Sequence, residues 1–153
     1  MDYPRPPPAP PDSFDPEHSR HRAAILDLMH AYAEVVDRRA WDGFSRIFTG
    51  DALLLAEGYE FSGLEAIVAA MRLNERYELT QHHVTNHRVE LRGATAAAET
   101  YCLAVNIIAD AGGRLREDMG IRYRDRLVLA DGRWLIRRRD VIKDWRGTVA
   151  LQP

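Results

Sequence analysis

The hydrophobic positions in the first part of the chain recur at steps of three and four residues. This period predicts an amphipathic helix that runs to about residue 38 and buries one face. A capping acid, a proline at the first position and an acid in the first turn mark its start at residues 15–17. The residues on the apolar stripe are Ile25, Leu28, Met29, Tyr32 and Val36.

Two further helices are predicted before the chain changes character. The same period returns in a shorter helix that ends at residues 50–51. Its apolar positions are Trp41, Phe44, Ile47 and Phe48. Ser62 and Glu65 have the spacing of a capping box, in which the serine bonds a backbone N–H and the glutamate reaches back, and they predict the start of a third helix. Residues 52–56 and 59–61 favour two short strands.

The second half of the chain has the pattern of β-structure. Runs rich in β-branched and aromatic residues predict four long strands, at residues 81–92, 95–109, 115–129 and 133–145. The pairs that separate them are typical of hairpin turns, and they lie at residues 93–94, 112–113 and 131–132.

The order of these elements indicates the fold class. Helices followed by long antiparallel strands predict an α+β fold, a cone-shaped curved antiparallel sheet with three N-terminal helices covering its open side. Residues 15–153 are predicted to form a single domain around one pocket. Residues 1–14 contain six prolines, and we expect them to be a disordered leader outside the domain.

Composition excludes several classes of function. The net charge of −2 gives no electrostatic footprint for nucleic acid, so we expect no nucleic-acid partner. The single cysteine, Cys102, allows no intrachain disulfide. We expect no membrane interaction, since no apolar run is long enough to span a bilayer, and no apolar signal core follows Met1. A cytoplasmic location is the expectation.

The candidate chemistry centres on His82, at the start of a long strand, and Asp37, near the end of the first helix. An imidazole transfers protons near neutral pH, and an aspartate can fix its tautomer and stabilise the imidazolium. We interpret the two residues as a proton-transfer pair facing a closed apolar cavity. Spacing alone leaves open that Asp37 is an exposed helix-end carboxylate, offset by Arg38 or Arg39, and that His82 is an ordinary polar residue on a sheet.

Strand alternation bears on the neighbouring histidines. His82 and His83 are expected on opposite faces, with His87 on the face of His83. At the normal rise His83 and His87 would lie ~13 Å apart, too far for one metal ion. We therefore predict no metal site and, since the chain has no glycine-rich phosphate loop, no cofactor.

Three consecutive arginines, residues 137–139, predict one inward guanidinium. Alternation sends Arg138 to one face and both of its neighbours to the other, so at least one arginine points into the domain. A buried arginine must be paired, and its candidate partners are Asp37, Asp125 and an anionic leaving group.

Other polar groups are candidates for contact with a substrate. Tyr32 belongs to the apolar stripe and either packs in the core or offers its hydroxyl to a substrate oxygen. Asn106 lies in an apolar run, where it either satisfies backbone groups or binds a substrate oxygen. Together with Asn106, we predict Trp41 and His83 as substrate-binding residues.

At these residues the chain resembles the SnoaL-like branch of the nuclear-transport-factor-2-like superfamily. Residues 23–38 resemble the first helix of hexachlorocyclohexane dehydrochlorinase, residues 80–86 resemble its histidine segment, and Trp134 with residues 139–141 resembles its final strand. The resemblance covers roughly residues 18–146. It implies a cone-shaped barrel with an internal apolar pocket, in a homodimer or homotrimer.

The resemblance also implies roles for single residues. Asp37 and His82 match the family's dyad, Arg139 matches its pocket arginine, and Tyr32 matches the tyrosine of bile acid 7α-dehydratase, a relative like scytalone dehydratase. Tyr32 stands where the dehydrochlorinase has a lysine, which favours dehydration or isomerisation of an oxygenated ring over chloride elimination.

These inferences predict a cofactor-independent lyase or isomerase that acts on a small, hydrophobic, hydroxylated ring substrate, such as a steroid or polyketide. In this hypothesis His82, Asp37, Tyr32 and Arg139 are catalytic. The alternative is a non-catalytic ligand-binding protein or the structural small subunit of a ring-hydroxylating dioxygenase, because one fold hosts many functions.

Overall fold

The computed structural model describes residues 15–151, so the predicted leader at residues 1–14 lies outside the described residues. The helical elements are α1 (Pro16–Asp37), a 3₁₀ helix (Trp41–Arg46), α2 (Leu64–Met71) and a second 3₁₀ helix (Arg72–Arg76). The strands are β1 (Phe48–Ala56), β2 (Tyr59–Ser62), β3 (Leu79–Arg92), β4 (Thr95–Asp110), β5 (Gly113–Ala130) and β6 (Arg133–Leu151). No helix in this part of the chain combines the length and the apolar character needed to cross a bilayer.

Helix α1 begins as its sequence predicts. The Asp15 carboxylate accepts hydrogen bonds from the backbone N–H groups of Glu17 at 2.9 Å and His18 at 3.3 Å, and Pro16 occupies the first helical position. The predicted apolar stripe is buried against the sheet. This helix closes one side of the core and carries Asp37 as its last residue.

The predicted second and third helices need correction. The second is a 3₁₀ helix that ends at Arg46, because the backbone enters the sheet directly afterwards: the Ile47 carbonyl accepts the N–H of Ile136 at 2.8 Å, and Phe48 pairs with Ile136. Residues 50–51 therefore lie inside β1. The third helix is present as α2, but its N-cap is Gly63 at φ 87°, with no side-chain cap.

The capping box is wrong because Ser62 belongs to a strand. Ser62 ends β2 and pairs with Leu53, so its backbone is committed to the ladder and the chain turns into α2 one residue later, at Gly63. A positive φ at that turn suits glycine, which has no Cβ to clash.

The six strands form one sheet in the order β2-β1-β6-β5-β4-β3. Strands β3 to β6 make the predicted antiparallel meander, and β1 joins β6 in parallel, a pairing that the sequence did not indicate. Strands β2 and β3 remain at the two edges, so the sheet is not closed. The α+β fold with helices against a curved sheet is thus confirmed.

Two β-bulges change which residues face the core. Between Val84 and His87, β3 has one more residue than β4 opposes, so His87 pairs with Thr100 and joins His82 on the inner face. The prediction that His87 shares a face with His83 is therefore wrong.

The second bulge lies in β6. Arg138 pairs with Arg126, whereas Ile136 pairs with Leu127, which makes Arg137 the extra residue. Arg137 consequently points to solvent, while Arg139 is completely buried. Strict alternation predicted both on one face, and the bulge overrides it.

Candidate active site

Asp37 and His82 meet where the end of α1 crosses the start of β3. The Nδ1 atom of His82 lies 2.7 Å from Oδ1 of Asp37, and the backbone N–H of His82 donates to Oδ2 at 2.9 Å. The hydroxyl of Thr80, on the same face of β3, donates to Oδ1 at 3.0 Å. The imidazole is 10% exposed and the carboxylate 25%, so the pair is partly open to its surroundings.

The carboxylate is held by β3 and not by the neighbouring arginines. A negative charge at a helix C-terminus opposes the helix dipole. The sequence suggested that Arg38 or Arg39 offsets it, but Arg38 pairs with Glu34 at 3.0 Å and Arg39 donates to the carbonyl of Tyr77. Three donors from β3 supply the compensation instead.

These donors decide the charge of Asp37. Burial acts to raise the pKa of Asp37, but the hydrogen bonds from the His82 side chain and backbone and from Thr80 outweigh it, and the pKa is lowered below its ordinary value. An ionised carboxylate accepts the Nδ1 proton of a neutral imidazole. The Nε2 atom of His82 then carries the lone pair, and no hydrogen bond within residues 15–151 uses it.

A second carboxylate pair lies deeper in the domain. Arg139 on β6 donates from Nε and Nη2 to the two oxygens of Asp125 on β5, each at 2.8 Å, and both side chains are fully buried. Of the three candidate partners for a buried arginine, the structure thus selects Asp125. The Nη1 atom of Arg139 is buried without a partner among the described residues.

Two tyrosines flank the guanidinium of this pair. Its central carbon lies 4.1 Å from the ring centroid of Tyr32 and 4.2 Å from that of Tyr123, which are cation–π distances. Burial raises the pKa of both phenols, although Arg139 opposes that rise, so both hydroxyls stay protonated and can donate. The hydroxyl of Tyr32 donates to the sulfur of Met71, at 3.5 Å, which is a weak acceptor, and the guanidinium of Arg139 also interacts with it.

Cys102 connects the two pairs electrostatically. Burial raises the pKa of this thiol to about 11, while a hydrogen bond with Tyr123 and the charge of Arg139 lower it and Asp37 raises it further. Both charged pairs therefore act on one buried side chain on the inner face of β4. The other inward residues of β4 near it, Thr100 and Ala104, are also small and fully buried.

Asn106 is buried on the inner face, as the sequence allowed. It is 2% exposed, and it pairs across the sheet with Thr80 on one side and Glu117 on the other. Its Nδ2 atom is buried without a hydrogen-bond partner in the described part of the chain. An unsatisfied buried amide costs about 1–3 kcal/mol, so this donor is available to an oxygen of a ligand.

Trp41 and His83 are not brought to the dyad. His83 is exposed on the outer face of the sheet. Trp41 is buried, and its Nε1 donates to Glu75 at 2.7 Å. It lines a groove of about 810 Å³ between the outer side of α1 and the two 3₁₀ helices. None of the predicted catalytic residues lines this groove, so the apolar hollow expected around the dyad stays a prediction.

Sequence reasoning missed four inward polar residues. Thr80 and Glu117 lie on the inner face near the dyad, and Tyr123 and His87 lie deeper. Alternation from His82 and Asn106 could have placed Thr80 and Glu117. The inward position of His87 depends on the bulge, for which the sequence has no signal. The Nδ1 atom of His87 lies 2.8 Å from Oγ1 of Thr100.

Solved structures with the same fold include a hexachlorocyclohexane dehydrochlorinase from Novosphingobium barchaimii, which is 21% identical with a TM-score of 0.77, the match covering 90% of this chain and 98% of that one. A protein from Novosphingobium aromaticivorans with the provisional name scytalone dehydratase is 18% identical with a TM-score of 0.78. This match covers 88% of this chain and 91% of that one. A second protein of that species, provisionally named an aromatic ring hydroxylase, is 23% identical with a TM-score of 0.76. This match covers 86% of this chain and 94% of that one.

At these identities the structural similarity establishes the fold and not the activity. None of the curated proteins compared matches the chain. The SnoaL-like domain family, in contrast, matches residues 17–140, which include all of α1 but its first residue, the dyad and both partners of the buried ion pair. The chain therefore belongs to the SnoaL-like family.

Proposed function

We propose that the protein is a cofactor-independent lyase or isomerase that acts on a small, hydrophobic, hydroxylated ring, such as a steroid or polyketide. The observation that carries this proposal is the 2.7 Å contact between His82 Nδ1 and Asp37 Oδ1. It engages one ring nitrogen, and no hydrogen bond within residues 15–151 uses the other, Nε2. An imidazole held in this way is a general base whose free nitrogen faces away from its carboxylate.

In the proposed reaction His82 removes a proton from carbon. Nε2 accepts the proton, and the imidazolium that forms is stabilised by the ionised carboxylate of Asp37. The C–H electrons form the new double bond and, in an elimination, the C–O bond breaks at the neighbouring carbon. A positioned base of this type contributes about 10²–10⁴-fold to the rate.

The departing or developing oxygen needs donors. Tyr32 supplies a protonated hydroxyl that donates its proton to a weak acceptor, the sulfur of Met71. Arg139 keeps the two N–H groups of Nη1 without a partner in the described residues, although Asp125 already balances much of its charge. The Nδ2 atom of Asn106 can hold a second substrate oxygen near the dyad. Trp41 and His83 have no place in this reaction.

A product assay on a panel of hydroxylated steroids and polyketide-like rings tests the proposal. The wild type is expected to turn over at least one compound, and His82→Ala is expected to lose about 10²–10⁴-fold in kcat. The matched control is His83→Ala, the exposed neighbour on the other face, which should keep full activity. Equal turnover by the wild type and His82→Ala would contradict the role of His82.

A second candidate is a non-catalytic member of the family, either a ligand-binding protein or the small subunit of a ring hydroxylase. It is favoured by the packing around Tyr32, whose ring contacts those of Phe44, Phe48 and Tyr123 at centroid distances of 5.8, 6.1 and 5.5 Å. A structural subunit would co-purify with a larger chain. A binding protein would form no product in the wild type, and His82→Ala would bind the ligand with unchanged affinity.

We also propose that the chain forms a homodimer or homotrimer. Large apolar side chains lie on the outer face of the sheet, where Tyr101 is 42% exposed, Leu103 36% and Trp145 52%. Neighbouring exposed apolar residues are typical of interaction surfaces. Light scattering at micromolar concentration should give two or three times the mass of the chain, and Leu103→Lys should lower it.

A further inference from the structure

Helix α1 ends in a turn that normally requires glycine. The N–H of Ala40 donates to the carbonyl of Val35 at 2.9 Å, and the N–H of Arg39 donates to that of Val36 at 3.2 Å. These two bonds are the pattern of a Schellman motif, in which the residue after the C-cap adopts a left-handed conformation. Arg39 occupies that position, at φ 55°.

An arginine at this position is unfavourable for the backbone. A Cβ atom in the left-handed region lies too close to the backbone, which destabilises this conformation, and glycine avoids the clash. Strained positions of this type persist where the surroundings hold them and often lie at functional sites. The side chain of Arg39 therefore calls for a physical explanation.

The contact made by the guanidinium of Arg39 explains why an arginine occupies this position. Nη2 of Arg39 donates to the backbone carbonyl of Tyr77, 38 residues further along the chain. Tyr77 lies between the second 3₁₀ helix and β3, three residues before Thr80 and five before His82. Arg39 itself lies two residues after Asp37. One side chain thus joins the two segments that carry the dyad, close to the point where they meet.

The far end of this connection is itself anchored. The hydroxyl of Tyr77 donates to Oε1 of Glu117 on β5 at 2.8 Å, and Oε2 of Glu117 accepts from Arg146 on β6. Tyr77 and Glu117 are both buried, at 4% exposure each. The carbonyl that Arg39 binds therefore belongs to a residue fixed to the sheet.

We propose that Arg39 is a positioning residue, which holds the last turn of α1 against the start of β3 so that the Asp37 carboxylate stays on the His82 imidazole. Its importance for turnover rests on the proposed function; its effect on the geometry of the pair does not. Catalytic groups displaced by about 1 Å can lose about 10²-fold in rate, so a device that fixes two distant segments is of direct use to the site.

The test separates this role from a contribution to stability. Arg39→Gly removes the connection and also the backbone strain, so its free energy of unfolding should equal or exceed that of the wild type. The proton on His82 Nδ1, observed by NMR in the full chain, should move upfield or broaden as the hydrogen bond to Asp37 loosens. Arg39→Lys, which keeps a cationic donor, should restore most of the wild-type signal.

Two further variants complete the design. Arg38→Ala removes the adjacent arginine, which is exposed and bound to Glu34, and should leave the His82 signal unchanged. Arg39→Asn tolerates a positive φ but cannot reach Tyr77, and should reproduce the glycine variant even if that variant folds poorly. Identical His82 signals in the wild type, Arg39→Gly and Arg39→Asn would overturn the proposal.

Turnover gives an independent measurement once a substrate is found. Arg39→Gly should lower kcat by about 10- to 100-fold with little change in KM, because the base is displaced while the binding groups are untouched. Full kcat in Arg39→Gly would overturn the proposal. If the wild type has no activity on any compound, the NMR comparison still decides the role of Arg39, so failure of the proposed function is distinguishable from failure of this inference.

Discussion

Two carboxylate pairs lie on the inner side of the sheet, and they differ in how deeply they are buried and in how many bonds join their side chains. Asp125 and Arg139 are fully buried and joined by two bonds of 2.8 Å, with the guanidinium between the rings of Tyr32 and Tyr123. Asp37 and His82 are partly exposed and share one 2.7 Å contact between side chains.

The comparison separates a pair of permanent charges from a pair that can transfer a proton. The buried pair cannot exchange protons usefully, because Asp125 outweighs burial and raises the pKa of Arg139 above its already high value. In the dyad the imidazole of His82 bonds to Asp37 through Nδ1, and no hydrogen bond within residues 15–151 uses its other ring nitrogen. The fully buried pair, Asp125 and Arg139, therefore supports the core. The partly exposed pair, Asp37 and His82, leaves a ring nitrogen available as a base.

The largest effect on stability is expected from breaking the buried pair. Asp125→Ala leaves the guanidinium of Arg139 uncompensated in the core, and should lower the free energy of unfolding by about 3–5 kcal/mol. Urea denaturation measures this loss. The control is the double variant Asp125→Leu with Arg139→Met, which should recover most of the stability. A loss below about 1 kcal/mol for Asp125→Ala would show that water reaches the guanidinium and that the pair is not shielded from solvent.

A smaller and pH-dependent effect is expected at the dyad. Asp37→Asn should cost about 1–2 kcal/mol at neutral pH, because the charge-assisted bonds from β3 are weakened. The folded-state pKa of Asp37 is lowered, so its contribution is present above the ordinary pKa of about 4 and is lost as pH falls through the lowered value.

Urea unfolding of the wild type and Asp37→Asn across this pH range measures the dependence. The difference between the two proteins should be largest near neutral pH and should shrink towards pH 2. A difference that does not change with pH would mean that Asp37 is not stabilised as a carboxylate.

A substitution at Asn106 should lower the affinity for a ligand without greatly lowering the stability of the fold. Asn106→Leu removes a buried amide with an unpaired donor, so its unfolding free energy should rise or should fall by less than about 1 kcal/mol. If the amide holds a substrate oxygen, ligand affinity should fall about 5- to 10-fold, which is the loss of a typical hydrogen bond. Titration calorimetry with a ligand from the panel gives the affinity. A large loss of stability would instead identify Asn106 as a support of the strand backbone.

The smallest effect is expected on the outer face. His83→Ala alters an exposed side chain that the bulge and the dyad do not involve, and should change stability by no more than about 0.5 kcal/mol. Thermal unfolding and the panel assay check this expectation. A loss of activity in this variant would require a substrate contact from outside the sheet, and would weaken the contrast between the two faces.

Local signals made α1 and the meander predictable. The cap at Asp15, the proline after it and the hairpin residues between the long strands act over a few positions, and the structure follows them closely. The second helix was mistaken because Ile47 and Phe48 satisfy a helical period but are drawn into a ladder with Ile136. Such long-range pairing has no local signature.

The candidate site was predictable only in part for the same reason. The helical period placed Asp37 near the end of α1, and the alternation of faces along β3 separated His82 from His83. The structure places Asp37 and His82 in contact. The bulge that turns His87 inward could not be deduced, since one inserted residue reverses the parity of everything beyond it. Nor could the partner of Arg139 be chosen among several carboxylates without the register that sets Asp125 opposite it.

The most direct test of the central claim is the tautomer of His82 at neutral pH. Nitrogen-15 NMR of the full chain distinguishes a protonated ring nitrogen from one that carries a lone pair. The account predicts a proton on Nδ1, bound to Asp37, and an unprotonated Nε2, with the pattern lost in Asp37→Asn. A ring protonated mainly on Nε2 would contradict it, because no base would then face a substrate.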